Sequence, residues 1–165
     1  MIIDLINRMF KSTLYVRIRR NKISVRFVEK KREVTDQPIV GMNGKNRILA
    51  VGEEANSHKY KNIHDYRVLN GFDHPRTIIG QFDIADAALR YLMKRTVSSR
   101  AFVRPVIVFH PKDDYEGGLS QIEVRALRDM GEHVGGREVH IWVGRDLTDE
   151  ELQSGKFPEY EGQLI

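Results

Sequence analysis

A chain of 165 residues with 41% hydrophobic and 30% charged side chains fits one soluble globular domain with a normal core. The lack of cysteine excludes disulfide scaffolds, cysteine–zinc sites and thiol catalysis, and no stretch reaches the ~18 apolar residues of a membrane span. The start is expected to carry no secretory leader, which fits a cytoplasmic location. The net charge of +4 is uneven: residues 11–32 hold nine basic side chains against the single acid Glu29, a local +8 that leaves −4 for the rest. Such a patch bears on partners, not on fold.

Over residues 1–11, Ile2, Ile3, Leu5, Ile6, Met9 and Phe10 recur at helical spacing, with Asp4, Asn7, Arg8 and Lys11 opposite. The pattern predicts a short amphipathic helix. It either packs on protein or lies at a membrane surface, with Ile2, Ile3, Ile6, Met9 and Phe10 in the apolar interface and Arg8 and Lys11 near anionic lipid. Three turns are marginal alone, so membrane binding would need several copies or the adjacent basic patch.

Residues 13–28 alternate. Leu14, Val16 and Ile18 share one face, and Tyr15, Arg17 and Arg19 the other; after Arg20-Asn21, Ile23, Val25 and Phe27 lie opposite Lys22, Ser24 and Arg26. Pairing residue i with 41 − i puts all six apolar side chains on one face, and a one-residue slip scatters them. The expected hairpin has one apolar and one basic face. Its turn is either Arg20-Asn21, which lacks the favoured glycine, or a loop from Arg19 to Lys22. A polar stretch follows to Asp36, Gln37–Met42 resumes an extended pattern, Asn43-Gly44 signals a turn, and Ile48–Val51 reads as a strand.

Residues 53–81 are irregular and read as a small helix followed by loop or peripheral subdomain. Phe82–Val97 predicts a helix, with Asp83 available as a cap and Ala85, Ala88, Leu89, Leu92, Met93 and Thr96 as its buried stripe. Phe102–Phe109 reads as a buried strand with Pro105 at its start or at a bulge. Ser120-Gln121-Ile122-Glu123 is a capping box opening a helix to about Val134, stopped by Gly135-Gly136. Glu138–Val143 is the last expected strand, Asp146–Leu152 adds one helical turn, and residues 153–165 read as a loose tail. Three meandering strands followed by helix, strand, helix, strand predict an α/β fold: a mixed five-stranded sheet flanked by helices, in one domain over residues 12–152.

Few constellations suggest chemistry. Asp113, Asp114 and Glu116 lack the order of a calcium loop and read as a solvated loop. The six histidines show no paired metal spacing. No Ser-His-Asp set, Gly-x-Ser-x-Gly elbow or Walker A loop is identifiable, and Gly117-Gly118 reads as a plain turn. No catalytic residue, metal or cofactor is therefore expected. The basic hairpin stands out. Arg17, Arg19, Arg20, Lys22 and Arg26 could meet an acidic lipid or protein surface, or simply form a solvated edge. Nucleic acid is disfavoured, because that face offers only Tyr15 for base stacking.

The order of motifs resembles the first half of the bacterial actin MreB family, from about Ser12 to Val143. Leu14–Met42 is similar to the family's opening strand, phosphate-binding turn and second strand. Ala50–Ala55, AVGEEA, is similar to A-V-G-x-E-A; Thr77–Arg95 and Arg104–Pro111 follow in order, and Ser120–Ile141 is similar to the segment ending A-G-A-R-E-V-x-L. The resemblance implies a ribonuclease-H-like, actin-like half, with residues 43–76 as a reduced peripheral insert. It also exposes departures. Where the family reads Asp-Leu-Gly-Thr this chain has Arg17-Ile18-Arg19-Arg20, the family's hydrolytic glutamate falls at Gly144, and the second phosphate loop would lie beyond residue 165. Phosphoryl transfer needs positioned metal and donors on both sides of the phosphate.

The expectation is therefore a non-catalytic, MreB-like interaction module tied to bacterial cell shape or cytoskeleton, cytoplasmic or peripheral at the inner membrane. Its partners would be the resident bacterial actin, other cell-shape proteins or a second copy, the last favoured by an apolar strip expected to be exposed near Val139–Val143. The alternatives are a residual nucleotide-binding protein completed by a partner, and a nucleic-acid binder using the hairpin.

Overall fold

The structure, a computed structural model, describes residues 11–97, 104–114 and 116–165. The expected helix over residues 1–11, including Ile2, Ile3, Ile6, Met9 and Phe10, lies outside the described residues except for Lys11.

Strands β1 (Thr13–Arg19) and β2 (Lys22–Phe27) form the hairpin, and the register is the expected one: Leu14 faces Phe27, Val16 faces Val25 and Ile18 faces Ile23. Arg19 pairs with Lys22, so the connection is the two-residue turn Arg20-Asn21. Next comes β3 (Arg32–Asp36), antiparallel to β2. The sequence reading treated that stretch as a polar connection. As an edge strand it buries little, so it carries no hydrophobic signal.

A second, three-stranded antiparallel sheet has the order β5-β4-β6, from β4 (Ile39–Met42), β5 (Ile48–Val51) and β6 (Arg67–Asn70). The third meander strand expected at Gln37–Met42 thus belongs to this sheet. Two 3-10 turns, Gly52–Asn56 and His58–Tyr60, replace the expected small helix. β6 was not foreseen, being four half-exposed residues without a clean period.

Helix α1 (Phe82–Thr96) buries the whole predicted stripe. Gln81 occupies its N-cap without a side-chain bond, and Asp83 lies in the first turn rather than capping it. Strand β7 (Val106–Pro111) starts just after Pro105, and α2 (Gln121–His133) opens on the expected capping box. There Glu123 N–H donates to Ser120 Oγ, and Ser120 N–H to a Glu123 carboxylate oxygen. The other oxygen takes the Ile78 N–H at 2.7 Å, so one residue caps the helix and holds the loop before α1. Burial alone would raise the Glu123 carboxyl, but these hydrogen bonds hold it below the usual range. Gly135, in the left-handed region at φ 89°, ends the helix.

After β8 (Glu138–Gly144) the chain forms α3 (Asp149–Ser154) and β9 (Gly162–Leu164). β7 lies parallel to β1 and β8 to β7, while β9 runs antiparallel to β8. The main sheet therefore has six strands, β3-β2-β1-β7-β8-β9, where five were expected. The sixth comes from the tail read as loose. Phe157 stacks on Trp142 with ring centroids 5.7 Å apart, and Ile165 N–H donates to Ile141 O. Three residues among polar neighbours are too short to show a strand period.

Each face of this sheet carries a core. On one, Leu14, Val16, Ile18, Ile23 and Val25 pack with Leu89 and Leu92 of α1 and Leu127 and Met130 of α2. On the other, Tyr15, Val108 and Trp142 pack with Leu147, Leu152 and Phe157 of the C-terminal segment. The apolar strip expected to be exposed near Val139–Val143 is thus largely covered: Ile141 and Trp142 are buried, and Val143 alone of that run is a large exposed hydrophobe.

Candidate functional site

The basic face of the hairpin divides along its length. At the closed end lies Tyr15, 2% exposed, not the solvent-facing ring that the sequence suggested. His110 Nε2 lies 2.9 Å from Gly144 O. A carbonyl can only accept, so Nε2 carries the proton, and Nδ1 is left to accept from the Tyr15 hydroxyl at 2.5 Å. The Tyr15 oxygen in turn takes the Leu147 N–H. This buried chain ties β1, β7, β8 and the following loop together. Burial, with Lys112 nearby, pushes His110 down to about 4, and burial pushes Tyr15 up to about 12, so both are neutral across the middle pH range.

Arg26, across the strand from Tyr15, makes a two-pronged bond to Asp149 in the first turn of α3, at 2.9 and 2.6 Å. That bond raises the guanidinium and lowers the carboxyl. Arg17 is next on the face, 2.6 Å from Glu33 and 3.8 Å from Asp146. Arg20 turns away: its guanidinium donates to His74 O and approaches Asp73 at 3.7 Å, while Asn70 holds its carbonyl.

The open end is a groove of about 270 Å³ at the C-terminal ends of the central strands. The cations Arg17, Arg19, Lys22 and Lys112 share it with the acids Glu33 and Asp146. Ser24 and Thr35, whose hydroxyls bond at 2.8 Å, floor its outer half. Lys112 sits 3.1 Å from Asp146. Burial alone would raise the Asp146 carboxyl, but Lys112 and then Arg17 hold it down. Arg19 lies 3.4 Å from Asp113, and the same carboxylate takes the Arg20 N–H at 2.6 Å. Asp113 therefore pins the hairpin turn, a correction for that residue alone, since Asp114 and Glu116 are exposed as a solvated loop requires. Lys22 has no ion-pair partner among the described residues.

Of the five expected contact residues, the groove gathers Arg17, Arg19 and Lys22, while Arg20 and Arg26 are engaged elsewhere. The sequence reading missed Lys112 and Asp146, which reach the groove from the loops after β7 and β8. No local pattern marks them, because only the parallel pairing of β1, β7 and β8 brings those strand ends together. Among the described residues no cluster of histidine, aspartate and glutamate is suited to a metal ion.

Gly144 ends β8 beside this groove. A Cβ there would lie 2.5 Å from Glu161 O and 2.6 Å from Gly162 Cα. The tail strand thus closes the position to a side chain. Arg145 holds that crossing, bonding Glu151 through two nitrogens at 2.9 and 2.6 Å and Glu161 at 2.7 Å.

A hairpin continued by an edge strand, joined in parallel to two further strands and backed by helices, is the architecture of an actin-like half-domain. The MreB/Mbl protein family matches residues 21–145, and the chain belongs to that family. Among solved structures it is similar to MreB 5 of Spiroplasma citri bound to AMPPNP, at 15% identity and a TM-score of 0.63, covering 79% of this chain and 38% of that one. The ADP-bound form of MreB5 from the same organism gives 16%, 0.62, 79% and 37%. A non-polymerising mutant of MamK bound to AMPPNP gives 15%, 0.61, 81% and 40%. At these identities the likeness is one of fold, and the chain spans about two fifths of the length of these proteins. None of the curated proteins searched matches it.

Proposed function

We propose that this chain is a non-catalytic interaction module of bacterial cell shape or cytoskeleton. The observation that carries the reading is the closure at Gly144. Where the resemblance puts the family's hydrolytic glutamate, the tail leaves no room for a Cβ. Where it puts the aspartate that works with the metal, Arg17 sits between Glu33 and Asp146, and a cation there repels a divalent metal. Its partners would be the resident bacterial actin, other cell-shape proteins or a second copy of the chain. Residues 1–11 would hold it at the inner membrane surface from the cytoplasmic side.

A thermal-shift titration with Mg-ATP separates this reading from a residual nucleotide-binding protein. Nucleotide at 100 times its Kd would stabilise the fold by ~2.7 kcal/mol; the expected shift is nil, and a saturable rise overturns the reading. Liposome flotation with and without residues 1–11 tests the anchor, and equal recovery of both removes it. A pull-down from native cells tests for the actin homologue. The second reading, a nucleotide site completed by a partner, draws on the AMPPNP and ADP bound in similar structures. It predicts that the thermal shift emerges once that partner is added.

A further inference from the structure

Lys22 and Arg19 are a directly paired cross-strand couple, and both side chains project on the groove side of the hairpin. Like charges so placed destabilise a sheet. Elsewhere on this face the fold compensates its cations, Arg26 with Asp149 and Arg17 with Glu33. At the tip Asp113 lies 3.4 Å from Arg19 and Asp146 3.1 Å from Lys112, while Lys22 has no ion-pair partner among the described residues. Ile18 is in register with Pro111, which puts Lys112 beside Arg19. The three cations Lys22, Arg19 and Lys112 therefore form a row across the strand ends, about 10 Å long at two inter-strand spacings.

Resting on the interaction-module reading, we infer that this groove binds an acidic segment of a partner protein, carried in extended form with single carboxylates on alternate residues. Alternate side chains of an extended chain lie ~7 Å apart, which places two carboxylates within the length of the row. The mixed lining selects this chemistry. Glu33 on β3 and Asp146 after β8 flank the row and repel a compact polyanion, whereas separated single charges can settle on the cations between them. Ser24 and Thr35 bond each other at 2.8 Å, which leaves one hydroxyl hydrogen of the pair to donate along the same floor.

The probe is a fluorescently labelled twelve-residue peptide of alternating glutamate and serine, followed by anisotropy on the full chain at low ionic strength. Lys22→Glu is expected to weaken binding about tenfold, and Lys30→Glu, the same charge change at an exposed turn beyond the other end of the hairpin, less than about twofold. Urea midpoints verify that both variants keep the fold. Equal weakening by the two variants overturns the inference, since only the general field would then be at work. So does displacement of the probe by equimolar pyrophosphate. Sedimentation that reveals a self-association lost in Lys22→Glu also overturns it, and assigns the groove to a second copy. Absence of probe binding together with no Mg-ATP shift defeats this inference while leaving the non-catalytic reading standing; a Mg-ATP shift defeats that reading instead.

Discussion

The two ends of one sheet face, a few residues apart on β1, solve the same problem in opposite ways. At the closed end Tyr15, Arg26 and Trp142 are roofed by α3 and the tail, and each polar group there named has a partner: the Tyr15 hydroxyl, the Arg26 guanidinium, and the Trp142 N–H on Arg145 O at 2.8 Å. At the open end Arg19, Lys22 and Lys112 face the groove with fewer acids than cations. The sequence alternates cleanly through both. What separates them is the reach of the C-terminal segment, which stops short of the tip. A charged face of a sheet thus becomes a wall or a docking surface according to what a remote stretch of chain covers.

That contrast can be broken from the closed end first. Trp142→Ala removes the largest buried side chain of the tail-side core, and a loss of about 3–5 kcal/mol is expected from urea unfolding; a loss below about 1 kcal/mol would mean that the roof is not part of the core. Next comes pH. His110 titrates at about 4 in the fold against 6.5 when free, so its contribution is complete above pH 6.5 and is lost as pH falls towards 4. The expected loss is about 3 kcal/mol, and a His110→Gln variant should show a shallower acid limb. Gly144→Ala drives a methyl against the tail backbone and should cost about 1–3 kcal/mol, with faster hydrogen exchange at Gly162 and Leu164. Arg26→Ala, cutting a partly exposed two-pronged ion pair, should cost about 1 kcal/mol. At the open end Lys22→Ala should change stability by no more than about 0.5 kcal/mol, in the stabilising direction, because it relieves the like-charge couple.

Where a strand has one buried face and a partner close in sequence, the residues specify it. The 41 − i register of the hairpin and the Ser120–Glu123 box were legible because local patterning and tertiary packing agree there. Tyr15 was misjudged because alternation assigns a side chain to a face but does not say whether that face is wet. The polar strand Arg32–Asp36 and the short strands β6 and β9 have little burial to impose a period. The groove was half legible: Arg17, Arg19 and Lys22 stand together in the sequence, whereas Lys112 and Asp146 join them only through parallel pairing over about a hundred residues.

Arg145 also bears on how the C-terminal segment lets go. One guanidinium grips Glu151 in α3 and Glu161 just before β9, and these partners raise its affinity for its proton. Two elements fastened by the same latch cannot fray independently. With the latch intact, amides of α3 and β9 should therefore exchange at a common rate, and Arg145→Ala should split that rate in two while the amides of β1 and β7 keep theirs.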